Sequence, residues 1–159
     1  MKATEDIFRA YDIRGVYGSE LDAEVGERVG LAFGNFLRKE HSSGKISIGC
    51  DARVSSPELQ LAVSKGVSRA GFDVDIIGMV PIPVANYFTW KSNLNSEEYV
   101  AGVYITASHN PSDYNGFKAA IGKNVLSAKQ IQDIEKIIKN KIIKFFFISS
   151  VYGVGVQCN

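Results

Sequence analysis

With 159 residues, 45% hydrophobic and 22% charged, the chain has the size and composition of one globular domain around a single core. Its formal charge of +1 gives no electrostatic footing for nucleic acid or an acidic membrane surface. Cys50 and Cys158 form no metal-spaced or redox motif, a usage that suits a reducing cytoplasm better than a disulfide scaffold.

The N-terminal "MKATEDIFRAYD" has no apolar run, so no secretory signal is expected. "FRAYDIRGVYGSE" follows without a clear period and reads as a turn region closed by Gly15. A helix is expected over 22–39, with Val25, Val29, Phe33 and Phe36 on one stripe. Ser42-Ser43-Gly44 ends it, and "KISIG" reads as a short buried strand. Ser56-Pro57-Glu58 opens a second helix, with serine as N-cap, proline at the first helical position and an acid in the first turn. That helix ends before Gly71, a left-handed cap.

"DVDIIG" is the next strand, and Pro81 and Pro83 lead into a helix through Tyr87 and Trp90. "YVAGVYIT" and "GFKAAIG" are further strands, with Asn115-Gly116 between them as a turn signal. A last helix is expected over 127–141, striped by Ile131, Ile134, Ile138 and Ile142. Strands alternating with helices predict a three-layer α/β/α domain over 1–140, with a mixed, mostly parallel sheet. The tail, 141–159, is apolar but lacks a period. It reads either as a last strand with a frayed end or as a truncated or altered terminus. Its "IIKFFFISSVYGVGV" is too short and too polar to span a bilayer.

The chemistry concentrates in "TASHNPSDYNGFK", residues 106–118. Ser108-His109 suggests a hydrolase dyad, but adjacent residues in extended chain point to opposite sides, and the G-x-S-x-G elbow is absent. A phosphorylated serine fits better. In open α/β sheets ligands gather outside the carboxyl ends of strands, and Pro111 holds Asn110 in extended geometry. A phosphate there adds about −1.5 to −2 charge and needs cations; Lys118 and Arg14 are the candidates. On the residues alone, a plain turn remains the other reading.

The same stretch resembles the active-site serine loop of the α-D-phosphohexomutases, the phosphomannomutase and phosphoglucomutase family. Three more segments resemble that family in order: "FRAYDIRG" at 8–15, "GCDARVSSPEL" at 49–59, and "VPIPV" at 80–84, where Ile82 replaces the usual threonine. The likeness runs from about residue 6 to 138. It implies that Ser108 is the phosphoserine that gives its phosphoryl group to the sugar and later takes one back. His109 and Asn110 would shape the loop and contact phosphate or substrate, or serve loop packing alone. Lys118 would neutralise charge or help move the sugar hydroxyl proton, and Arg14 would grip phosphate beside Tyr11. Asp51 and Arg53 read as structural, tying the strand end to the following helix.

The resemblance further implies Mg²⁺, held by the Ser108 phosphate and by three aspartates of an Asp-Gly-Asp-Gly-Asp-Arg loop in a second domain. No such loop occurs in this sequence. The implied function is interconversion of hexose 1- and 6-phosphates, of mannose or glucose, through a hexose bisphosphate. The isolated chain is expected to be inactive. The alternative is a stand-alone phosphate-binding or interaction module. A cytoplasmic location is expected, with neither nucleic acid nor membrane as partner. Surface left bare by missing domains makes self-association a further expectation, with residues 145–148 adding a strand or packing on another copy.

Overall fold

Apolar residues at every second position build the centre of the sheet, and amphipathic helices close over it. The computed structural model describes residues 7–95 and 99–140, with backbone alone for 91–95. Six strands are present among these residues: β1 (Ile13–Val16), β2 (Lys45–Cys50), β3 (Asp73–Met79), β4 (Tyr99–Ile105), β5 (Tyr114–Ile121) and β6 (Asn124–Val125). Four helices accompany them: α1 (Ala23–Leu37), α2 (Ser56–Arg69), α3 (Ile82–Asn95) and α4 (Ala128–Lys139). The strand order is β1-β5-β4-β2-β3, with β6 also on β5.

Ile46, Ile48 and Cys50 of β2 and Ala101, Val103 and Ile105 of β4 face the main core, against α1, α2 and α4. Among the described residues, the opposite face of β2 and β4 carries α3, where Ser47 Oγ and Thr89 Oγ1 lie 3.1 Å apart. Three layers result, as expected. The helices α1 and α2 approach closely through reciprocal glycines. A Cβ at Gly30 would stand 2.3 Å from the Val63 carbonyl oxygen, and one at Gly66 would stand 2.0 Å from that of Glu27. Gly71 has φ +89° and follows α2, the left-handed position its sequence context predicts.

The helix stripes hold apart from Phe36, which is only partly buried: Val25, Val29 and Phe33 are buried on α1, and Ile131, Ile134 and Ile138 on α4. A reciprocal capping box between Ser127 and Gln130 starts α4. Ile142, Cys158 and the whole 141–159 tail lie outside the described residues.

Four details differ from the sequence reading. The sheet is mixed, but only β4–β2 and β2–β3 pair in parallel, whereas β1–β5, β4–β5 and β5–β6 are antiparallel. The reason is the connection after β4: no helix intervenes before β5, so the chain returns antiparallel. "FRAYDIRGVYGSE" holds a strand, because Ile13–Val16 finds the outer edge of β5. Asn115-Gly116 is no turn. It lies inside β5, with Asn115 fully buried, and the actual turn falls earlier, where the Tyr114 N–H donates to the Pro111 carbonyl over 3.1 Å. Finally, Ser55 rather than Ser56 occupies the N-cap of α2, without a side-chain cap bond, and the Ser56 hydroxyl turns to Asp51 instead.

Among the described residues, no helix is long and apolar enough to cross a membrane.

Candidate functional site

The site is built where β2 and β4 end side by side. Because these strands run parallel, the residues that follow them, Asp51 and Thr106, leave the same edge of the sheet. The Asp51 N–H donates to the Ile105 carbonyl over 3.0 Å, and Thr106 Oγ1 donates to Asp51 Oδ2 over 2.7 Å. Thr106 Oγ1 also accepts from the Ser108 N–H at 2.9 Å. One threonine hydroxyl thus links the aspartate to the serine backbone.

Ala107 is buried, and Ser108 and His109 are exposed beyond it. Ser108 has φ +57°, and no other non-glycine residue among those described has a positive φ. Left-handed backbone costs an L-residue about 1–2 kcal/mol, so surrounding contacts must hold it. Arg53 supplies them. Its Nη2 donates to the carbonyls of Ser108 (3.1 Å) and Asn110 (2.7 Å). Its Nη1 donates to those of Pro111 (2.5 Å) and Tyr114 (3.1 Å), and its Nε to Asp51 Oδ2 (3.2 Å). A guanidinium has five N–H donors, and all five are committed.

Arg14 is in the opposite condition. Its Nη1 donates to Asn110 Oδ1 over 2.8 Å and its Nη2 contacts the Asp12 carboxylate, which leaves three donors without partners among the described residues. Only 15% of the side chain is exposed, so it is held in place beside the serine loop. A fixed guanidinium with unspent donors is what a phosphate group requires. Donor accounting therefore separates the two arginines: Arg53 locks the loop, and Arg14 is available to an anion.

The structure places the other expected residues as follows. Asn110 joins Arg14 to the Ser108 loop, and His109 stands exposed next to it. Arg14 faces Gly116 across the β1–β5 ladder, and Lys118 lies two residues further along β5 on the same face, opposite Tyr104. No polar contact joins Lys118 to the serine loop among the described residues. Tyr11 is 86% exposed and borders, with Asp12 and Lys118, a neighbouring cavity.

The sequence reading left Asp51 and Arg53 as a strand-to-helix tie; they tie the serine loop as well. Their Asp-x-Arg spacing directly after a strand was the visible signal. The bonded carbonyls lie 55–61 residues away, and no local pattern points to them. Asn115 went unnoticed for its real task, donating from Nδ2 to the Ser55 and Ser56 hydroxyls at 2.8 and 2.9 Å.

Burial pushes the Asp51 carboxyl upward, but hydrogen bonds from Ser56, Thr106 and the Arg53 N–H, with the Arg53 charge, outweigh it. The net result lies below the usual carboxylate range. A carboxyl depressed on folding contributes stability above its unfolded value, and that contribution is lost as pH falls through the folded one. Stability is therefore expected to hold from neutrality down to the ordinary aspartate range and to decline below it. Asp51→Asn should flatten that acid limb in urea titrations run at several pH values; an unchanged limb would remove Asp51 from this role.

Among the described residues, no three His, Cys, Asp or Glu side chains converge to hold a metal ion. Their donor set does not fit Mg²⁺, which takes about six oxygen ligands.

The comparisons with known proteins bear on the fold and the family. Residues 5–143 match the family model described as "Phosphoglucomutase/phosphomannomutase, alpha/beta/alpha domain I". The chain is 42% identical over 139 residues to a phosphomannomutase/phosphoglucomutase of Pseudomonas aeruginosa, covering 86% of this chain and 28% of that protein. To a phosphoglucomutase of Neisseria gonorrhoeae it is 38% identical over 136 residues, with the same two coverages. A solved phosphoglucomutase/phosphomannomutase family protein of Burkholderia thailandensis superposes with a TM-score of 0.76 at 37% identity, covering 89% of this chain and 31% of that one. The chain thus spans under a third of the length of these relatives. On its sequence and its fold alike, it belongs to the phosphoglucomutase/phosphomannomutase family and corresponds to the α/β/α domain I of that family.

Proposed function

We propose that Ser108 carries the transferable phosphoryl group of a phosphohexomutase interconverting hexose 1- and 6-phosphates, of mannose or glucose, through a hexose bisphosphate. The observation that carries this reading is the Ser108 loop itself. An exposed serine is held in left-handed backbone by a fully committed arginine, with a second arginine, which keeps three donors spare among the described residues, bonded to the same loop. In this reading the Ser108 Oγ–P bond breaks as a P–O bond forms to a sugar hydroxyl, and the reverse transfer restores the phosphoserine.

Phosphoryl transfer is largely a matter of positioning and charge neutralisation. Arg14 neutralises phosphate oxygens, Asn110 keeps Arg14 aimed, and His109 borders the group. Lys118 neutralises charge or helps move the hydroxyl proton, and Tyr11 edges the substrate cleft. Mg²⁺, if bound, would supply charge neutralisation, and the Ser108 phosphate would be the one ligand that the described residues offer it. The resemblance implies that sugar selection rests on segments outside this chain. The chain by itself is therefore expected to show no mutase turnover.

The test is covalent. A single slow transfer does not require turnover, so prolonged incubation with glucose 1,6-bisphosphate, followed by peptide mass spectrometry, should find one phosphoryl group on Ser108. Label on another residue would overturn the assignment. Phosphate binding without covalent transfer would favour the second reading, a stand-alone phosphate-binding module, which the spare donors of Arg14 would serve equally.

Three further parts of the reading are proposals. Residues 1–140 form the domain and 141–159 an atypical tail. Cysteine usage supports a cytoplasmic location. Self-association is supported by exposed apolar side chains on β3 and α3, among them Ile76, Met79, Ile82 and Tyr87. Light scattering should give a mass above that of the monomer; a strict monomer contradicts it. The expectation for residues 145–148 lies outside the described residues.

A further inference from the structure

The outer edge of β5 is covered in two pieces. Ladder partners in β1 end at Phe117, and those in β6 begin at Ala120. At the interval, Lys118–Ala119, a cavity of about 180 Å³ opens into the main core. Val29 and Phe33 of α1, Ile131 and Ile134 of α4, and Val103 of β4 form its walls, each at most 5% exposed. Tyr11, Asp12 and Val125 stand at its mouth, and Tyr11 and Val125 are 86% and 79% exposed. The small side chain of Ala119 lies where a larger residue would have filled the space.

Two physical consequences follow. An ordered water needs about two to four polar partners, and the inner walls are apolar, the polar lining residues Tyr11, Asp12 and Lys118 standing at the rim. Among the described residues no buried side-chain polar atom lacks a partner, so none is left to recruit one. An apolar void also forfeits dispersion contacts around its whole lining, so a matching apolar occupant gains them back. A dry cavity of about 150 Å³ accepts benzene, which sets the scale here.

We propose that this cavity is a binding site for one small uncharged apolar group, the size of a single aromatic ring, entering between Tyr11 and Val125. The apolar interior is chemically unlike the serine loop and is argued without the phosphoserine reading, while Tyr11 and Lys118 border both. Its occupant packs against the segment of β5 that bears Lys118.

Benzene is the probe. Nuclear Overhauser contacts from benzene to the methyl groups of Val103 and Ile131 are expected in the unmodified protein. Its melting temperature should rise by about 3–5 °C at benzene concentrations near ten times the dissociation constant. Ala119→Leu should raise the melting temperature without ligand and abolish the benzene response; Val29→Ile, a smaller filling, should weaken that response. Absence of methyl contacts in the unmodified protein would overturn the proposal. So would an undiminished benzene response in a folded Ala119→Leu variant.

Discussion

Replacing Arg53 with methionine is expected to destabilise the protein by about 2–4 kcal/mol, a large fraction of a typical domain's stability. Methionine keeps much of the volume and removes every donor. Four loop carbonyls and the Asp51 carboxylate lose their partner together. An unsatisfied buried polar group costs about 1–3 kcal/mol, but several of these carbonyls belong to exposed residues that water reaches, so the losses do not simply add. Asp51 retains Ser56 and Thr106, which limits the penalty further. Urea unfolding should show a lower midpoint with an unchanged slope. Arg53→Lys should recover little, because an ammonium has three donors and no planar fork. A midpoint indistinguishable from that of the unmodified protein would show that Ser108 holds its conformation without the clamp.

The second large effect concerns Ser108, where strain and chemistry can be separated by two substitutions. Both Ser108→Ala and Ser108→Gly remove Oγ, so both should abolish phosphoryl incorporation completely. They should differ in stability. Glycine adopts φ +57° without a Cβ penalty, and even after its greater loss of backbone freedom should gain about 0.5–1 kcal/mol. Alanine keeps the penalty and should be neutral or slightly worse. Residual incorporation in either variant would move the phosphorylation site elsewhere. Equal stability in both variants would mean that the loop carries no backbone strain at this position.

Such strain at the proposed reacting residue has a physical use. It turns the serine outward from the end of β4, while Thr106 and Arg53 hold the backbone around it. None of this could be read from "TASHNP", where the serine looks like any turn residue. The resemblance points to the residue, and only the tertiary structure supplies its conformation and restraints. Lys118 owes its place to the sheet instead: β5 sets it opposite Tyr104, on the same face as Arg14.

What the sequence by itself determined are the features that depend on near neighbours along the chain. The stripe of Ile131, Ile134 and Ile138, the Ser127/Gln130 box and Gly71 after α2 each express the geometry of one helical turn or less. The strands "KISIG" and "YVAGVYIT" were legible for the same reason, as apolar runs bounded by breakers. What only the tertiary structure decided are partnerships across the sheet. Asn115-Gly116 is a turn signal in isolation, but burial beside Ser55 and Ser56 satisfies the asparagine inside a strand. Ile13–Val16 is a strand because β5 offers an open edge, and Arg53 is a clamp because parallel β2 and β4 finish together. Local preferences are worth tenths of a kcal/mol to about one, whereas a buried network of hydrogen bonds is worth several. Where the two conflict, contacts made 55 or more residues apart prevail, and those contacts exist only once the sheet has set its register.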